Sequence, residues 1–193
     1  MDQNYHLFKG YKIIFWGIFL TSFHFNFMGI PILPQFIEWL IVVKGINLLK
    51  DIQPTKSLIY ASECGSWLAF FTFIGGFVSL FKPDIFNSGT LFTIIWSTGI
   101  MTLQLILKYY ILVGSIELLE IFHKPDAMER YIKNTRNFII SYIVIMVFQI
   151  ISQTIVLESW LAVSGITAII INIWFMIFIS EFKNLFMKEV TDG

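Results

Sequence analysis

The feature that most constrains this chain is a succession of apolar runs with few charges, each about as long as a bilayer is thick. A helix needs about 20 apolar residues to cross roughly 30 Å of hydrocarbon. Six runs of that order occur: residues 13–30, 32–49, 58–81, 90–107 with a continuation toward Leu119, 137–157 and 160–180. The breaks between them carry helix-interrupting or charged residues: Gly29 and Pro31, Asp51 and Pro54, Lys82 to Asp84, His123 to Pro125, and Glu158. With 56% apolar and 13% charged residues over 193 positions, the composition is that of a membrane protein rather than a soluble domain.

Lipid supplies no hydrogen bonds, so each run must satisfy its own backbone as a helix, and runs this long and continuous exclude the alternating strands of a barrel. The expected fold class is therefore all-α: a polytopic transmembrane bundle of six helices forming a single integral membrane domain over 1–193. Placing the N-terminus in the cytoplasm puts every Lys and Arg except Lys82 on or toward the inner side. This asymmetry predicts a multi-pass plasma-membrane protein with both termini cytoplasmic and a cytoplasmic loop at about 117–136. Lys9 and Lys12 precede an apolar run as in a signal peptide, but no small-x-small site follows, so the first segment reads as a retained span. Within the loop, Pro125 with Asp126 and Glu129 suits the first turn of a helix.

Inside the runs the polar residues are informative. In the third, Ala61, Gly65, Ala69, Thr72 and Gly76 fall on one helical face, a stripe suited to close helix packing or to a partner's helix. Gln104 on the fourth, Gln149 and Gln153 on the fifth and Asn172 on the sixth lie on faces expected to point inward. There they either bond between helices or line a polar cavity, since amides both donate and accept. Lys44, Glu63 and Lys108 fall at similar depth and form a candidate inner charge cluster; the alternative is that the lysines snorkel to the interface.

The stretch around the first break holds His24, Asn26, Gln35 and Glu38. If two helices turn about Pro31, His24 and Glu38 match in depth at about 10 Å below the turn, using 1.5 Å per residue. That juxtaposition makes a candidate ligand or proton site of His24, Asn26, Gln35, Glu38, Gln104, Gln149, Gln153 and Asn172. The alternative is a wet interfacial turn.

Other chemistry is missing from the sequence. His6, His24 and His123 are scattered without metal-ligand spacing, Cys64 has no histidine beside it, and Gly75-Gly76 lies mid-run rather than in a phosphate loop. No enzyme, cofactor or metal is expected. No basic stripe with interleaved aromatics occurs, so nucleic acid is not expected as a partner.

Residues Gly29 to Ile37, following Phe15-Trp16-Gly17-Ile18-Phe19, resemble the first hairpin of small, largely uncharacterised polytopic membrane proteins of Gram-positive bacteria, over about the first fifty residues. Size and span number are also similar to the S components of energy-coupling-factor transporters, although their early Ala-x-x-x-Ala docking pattern is missing from the first span. Two readings follow: a protein that binds or transports a small solute through an inward polar cavity, or a non-enzymatic accessory, immunity or regulatory subunit acting on a partner membrane protein. The intramembrane ionisable residues favour the first.

Overall fold

The computed structural model describes residues 3–23, 26–27, 30–31, 33–82, 90–122, 125–155 and 158–191. Six helices carry the fold: α1 (Gln3–Ser22), α2 (Gln35–Ile52), α3 (Lys56–Phe81), α4 (Leu91–Ile121), α5 (Pro125–Ile155) and α6 (Glu158–Thr191). Between α1 and α2 lies a short antiparallel ladder, β1 (Asn26–Phe27) with β2 (Ile30–Pro31), pairing Asn26 with Pro31 and Phe27 with Ile30. Four helices are long and apolar enough to cross a membrane, over Lys56–Phe81, Leu91–Ile121, Met128–Ile155 and Ala162–Phe186. The chain is a membrane protein built as an all-helical bundle. α1 and α2 carry more polar groups, Lys9 and Lys12 on one and Glu38, Lys44, Lys50 and Asp51 on the other.

Each helix packs on its neighbours in sequence, and α6 packs back on α1, so the bundle is a closed ring. Successive helices run antiparallel, as pairs such as Gly17 with Val42, Asn47 with Ser62, Ser57 with Glu117, Gln104 with Tyr142 and Gln149 with Ser164 require. One end of the ring therefore holds the start of α1 and the end of α6. This end is closed by aromatic packing. The Tyr11 ring lies between Phe182 and Phe186, 5.8 Å from each and nearly parallel to both. Tyr131 of α5 lies tilted against Phe182 at 4.6 Å, and Phe122, which caps α4, meets Phe186 edge-on at 5.8 Å. Four of the six helices thus meet around two phenylalanines of α6.

The tightest approach is between α1 and α2, where glycines let backbone meet backbone. A Cβ on Gly45 would stand 2.8 Å from the Ile14 nitrogen and 2.9 Å from the Gly10 carbonyl oxygen; one on Gly17 would stand 3.0 Å from the Val42 nitrogen. Without a solvent-driven hydrophobic effect between helices, such van der Waals contact is what holds spans together. The outer surface is apolar instead of charged: Val144, Ile166 and Ile170 are each more than half exposed. A soluble bundle would bury that face; here it meets lipid tails.

Helix boundaries differ from the sequence expectation around the first break and in the last helix. The first two helices were expected over 13–30 and 32–49, but α1 ends at Ser22 and α2 starts at Gln35, with the extended ladder between. Two hydroxyls help to end α1, since Thr21 and Ser22 both donate to the Ile18 carbonyl, at 2.9 and 2.7 Å. Within residues 117–136 the helix start expected at Pro125 is present, since α4 continues to Ile121 and α5 starts at Pro125. The last helix also extends beyond 160–180 at both ends.

Glycine substitutions separate structural contacts from open space. Gly45→Ala should cost about 1–3 kcal/mol, because backbone atoms block the new methyl group. Gly99→Ala, which meets nothing within 4 Å, should be neutral or stabilising by up to about 1 kcal/mol through helix propensity. Thermal unfolding of the purified variants measures both; equal effects would contradict the close α1–α2 approach.

Candidate functional site

Away from the aromatic closure, the ring interior opens into a cavity of about 920 Å³. Its walls are the start of α2, the second half of α3, the first half of α4 and the middle stretches of α5 and α6. The cavity exists because α3 changes character along its length. Ala61, Gly65 and Ala69 are buried against neighbours, and a Cβ on Gly65 would stand 2.7 Å from Val43 Cγ2 and 3.5 Å from Leu107 Cδ1. One to two turns further on, Thr72, Gly75 and Gly76 line the cavity, and a Cβ on Gly76 would meet nothing within 4 Å. The same small-residue stripe therefore binds helices at one end and leaves space at the other.

Most of the lining is apolar, with Phe36, Phe73, Phe77 and Trp96 presenting rings. Set into it are Gln35 and Glu38 of α2, Ser97 and Gln104 of α4, Tyr142 and Gln149 of α5 and Asn172 of α6. Glu38 is only 3% exposed and is the one carboxylate among the described lining residues. A second groove of about 620 Å³, lined chiefly by apolar residues of α4, shares Trp96 and Ile100 with the main cavity. Trp96 is thus a partition between the two spaces.

The chemistry concentrates beside the cavity, around Lys108. Its side chain is 1% exposed, and Nζ donates to Asn172 Oδ1 at 2.5 Å. The same nitrogen stands 4.6 Å from the centre of the Tyr142 ring and 5.7 Å from that of Phe175. Among the described residues no carboxylate lies within ion-pair distance of it; an ion pair elsewhere joins Arg130 to Glu181 at 3.7 Å, between α5 and α6. Tyr142, whose ring receives Lys108, donates its hydroxyl to Gln104 Oε1 at 3.3 Å. Lysine head, tyrosine ring and two amides form one cluster joining α4, α5 and α6.

Of the residues expected to form a ligand site, Gln35, Glu38, Gln104, Gln149 and Asn172 share the cavity. Gln149 also donates through Nε2 to the Ser164 carbonyl at 3.3 Å. Gln153 is not part of the lining; it accepts from Ser97 at 2.6 Å and ties α5 to α4. His24 lies outside the described residues, and Asn26 is described only through its backbone pairing with Pro31. Counting helical rise from Pro31 does not give a depth for His24 or Glu38, because the chain around Pro31 is extended rather than helical.

The expected inner charge cluster does not form. Lys44 and Glu63 are both exposed on the outer surface of the bundle, and no ion pair joins either of them to Lys108. Nor does Lys108 snorkel: it turns inward to Asn172. The physical reason is the helical face. Lys108 lies one turn from Gln104 on the side of α4 that meets α5 and α6, whereas Lys44 and Glu63 occupy outward faces. Tyr142 is the member of the cluster that was not among the expected site residues, although its place at four residues from Phe138 and seven from Gln149 marks the same face of α5.

A buried lysine surrounded by neutral groups gives up hydration without an opposing charge in return. Lys108→Met, close in volume and apolar, should therefore leave the thermal midpoint of the purified protein unchanged or raise it. A fall of several degrees would mean that the lysine is retained as a structural tie. No family model, curated protein or solved structure matches the chain.

Proposed function

We propose that the protein binds or transports a small solute through the cavity, without enzymatic chemistry, as a multi-pass protein of the plasma membrane. The observation that supports this most is the convergence of Glu38, Gln104, Gln149 and Asn172, from four helices, on one space of about 920 Å³. That volume falls in the range of about 300–1,000 Å³ typical of small-molecule sites, and the mixture of an apolar wall with a few convergent polar groups is also typical of them. A bundle held together by packing gains nothing from leaving such a space unfilled. The distribution of Lys and Arg supports cytoplasmic termini and a membrane location for all six helices. With that orientation the cavity belongs to the outer half of the bundle.

The second reading, an accessory, immunity or regulatory subunit, draws less support. The stripe that would have met a partner's helix is largely used within the chain, with Gly65 against Val43 and Ala61 fully buried. The outer faces that remain are apolar, as any lipid-facing surface is.

Thermal unfolding of the full chain in detergent against a panel of small solutes tests the proposal. At least one solute should raise the midpoint, and Glu38→Gln or Gln149→Leu should weaken its apparent affinity about tenfold, corresponding to about 1.4 kcal/mol. Gly76→Phe, whose ring would enter the open space, should abolish the shift with little change in basal stability. Absence of any shift, with a stoichiometric partner copurifying from native membranes regardless of these substitutions, would replace this reading with the accessory one.

A further inference from the structure

The six helices are not equal in reach. Phe36, in the first turn of α2, meets the Phe73 ring edge-on at 5.2 Å, so α2 starts level with Phe73. From there α3 continues to Phe81, about 12 Å further at 1.5 Å per residue. The seat of Tyr11 between Phe182 and Phe186 puts the end of α1 level with about residues 171–175 of α6, which extends beyond it to Glu158. α1 and α2 are thus a short pair, flanked by longer α3 and α6. Phe77 and Leu80, one and two turns past Phe73 on the same face of α3, line the cavity and are 55% and 79% exposed. The Phe77 ring packs on Phe73 and Phe81 of its own helix, at 6.4 and 4.9 Å. Across the gap Ala168 of α6 lines the same cavity, and a Cβ on Gly165 would meet nothing within 4 Å. Among the described residues no helix fills the space between these two walls, so the cavity continues into the outer surface through a window above the short pair.

The polar groups lie deeper, on one floor. A Cβ on Gly65 would be in contact with both Val43 and Leu107, so these two residues mark a common level on α2 and α4, which run parallel. Glu38 precedes Val43 by five residues and Gln104 precedes Leu107 by three, so the two lie within about 3 Å of one depth. Lys108 stands just past that level, beside the cavity and behind Asn172. With a carboxyl group on this floor and a lysine head close behind it, neither sign of charge is favoured there. The neutral groups offer both halves of a hydrogen bond. Lysine can only donate, so Asn172 turns Oδ1 to Lys108 and keeps Nδ2 as a donor. Gln104 accepts from Tyr142 through Oε1 and keeps Nε2. Gln149 is set the other way, its Nε2 donating to the Ser164 carbonyl and its Oε1 left as an acceptor. All three amides line the cavity.

We infer that the cavity takes a neutral amphipath from the bilayer, its uncharged hydrogen-bonding head on Gln104, Gln149 and Asn172 and its apolar chain leaving through the window along Phe73, Phe77 and Leu80 into lipid. This rests on the solute-binding reading and narrows it to one ligand class and one source. A head that both donates and accepts, such as a hydroxyl, engages both kinds of amide end, which lipid tails cannot offer it. The chain keeps apolar surroundings from the leaflet to the aromatic wall, so entry exposes none of it to water. A charged head would have to leave the headgroup region for a floor that favours neither sign. With cytoplasmic termini, the window falls in the outer leaflet, since α3 ends on that side just before Lys82.

The test is thermal unfolding of the full chain in phosphatidylcholine nanodiscs with four probes. Monooleoylglycerol, oleate and oleylamine share one chain and differ in head charge; monobutyrin has the glycerol head on a chain too short to reside in the bilayer. Monooleoylglycerol should raise the midpoint by several degrees, with the other three weaker at equal concentration. Gln104→Leu and Gln149→Leu should each weaken the apparent affinity for monooleoylglycerol about tenfold. Equal stabilisation by oleate or oleylamine would overturn the neutral head, and equal stabilisation by monobutyrin would overturn the bilayer source; either result leaves solute binding standing. No response to the four probes, while another solute of the wider panel stabilises the chain, would overturn this inference alone. No response to anything would remove both readings. A monooleoylglycerol response that persists undiminished in whichever of the two variants folds is an effect on the bilayer and contradicts the assignment of the floor.

Discussion

In a bilayer the only hydrogen-bond partners for an interior polar group are those the protein or an enclosed water supplies, and the interior of this bundle is arranged by that constraint. Its hydroxyls mostly solve the problem locally: Ser115 donates to the Ile111 carbonyl, Thr72 to that of Leu68 and Ser152 to that of Phe148. Such groups need no neighbour, so they say little about where helices meet. Longer polar side chains reach across helices, as Lys108 does to Asn172 and Ser97 to Gln153. These bonds cross between α4 and its neighbours on the side where the cavity lies.

Two packing devices divide the ring. Glycines on α1 and α2 bring those helices into backbone contact, and Tyr11 seated between Phe182 and Phe186 joins α1 to α6. Together they close the bundle at the end that holds the start of α1. At the other end α3 offers Gly76, where a Cβ would meet nothing within 4 Å, and the aromatic rings there stand around space. The cavity is thus written into the order of residues along α3, small throughout its inner face but packed over only half of it.

Much of this was legible in the sequence, and the parts that were not share a cause. The existence of the helices follows from the apolar runs, and the inward faces of Gln104, Gln149 and Asn172 follow from helical phase, which needs no knowledge of neighbours. The end of α1 at Ser22 was not legible, because residues 23–30 are as apolar as the helix before them. Hydropathy marks what lipid tolerates without distinguishing helix from extended chain beside a proline. Lys108 was read by depth alone, which suggests the interface; its direction depends on which face of α4 meets α5 and α6, a tertiary fact. Gly10, Gly17 and Gly45 carried a signal that went unused: their seven-residue spacing on α1 opposite a glycine of α2 is the pattern of a close crossing.

The central claim is that a wet, solute-sized space exists inside a ring whose outer face meets lipid. Cysteine accessibility along α4 in sealed vesicles tests it most directly, in a Cys64→Ala background. Ser97→Cys, Met101→Cys and Gln104→Cys, which replace lining residues, should react with a small water-soluble thiol reagent from one side of the membrane. Ile106→Cys, on the exposed apolar face, should stay unmodified. Protection of all four positions alike would show a dry, filled interior and contradict the account.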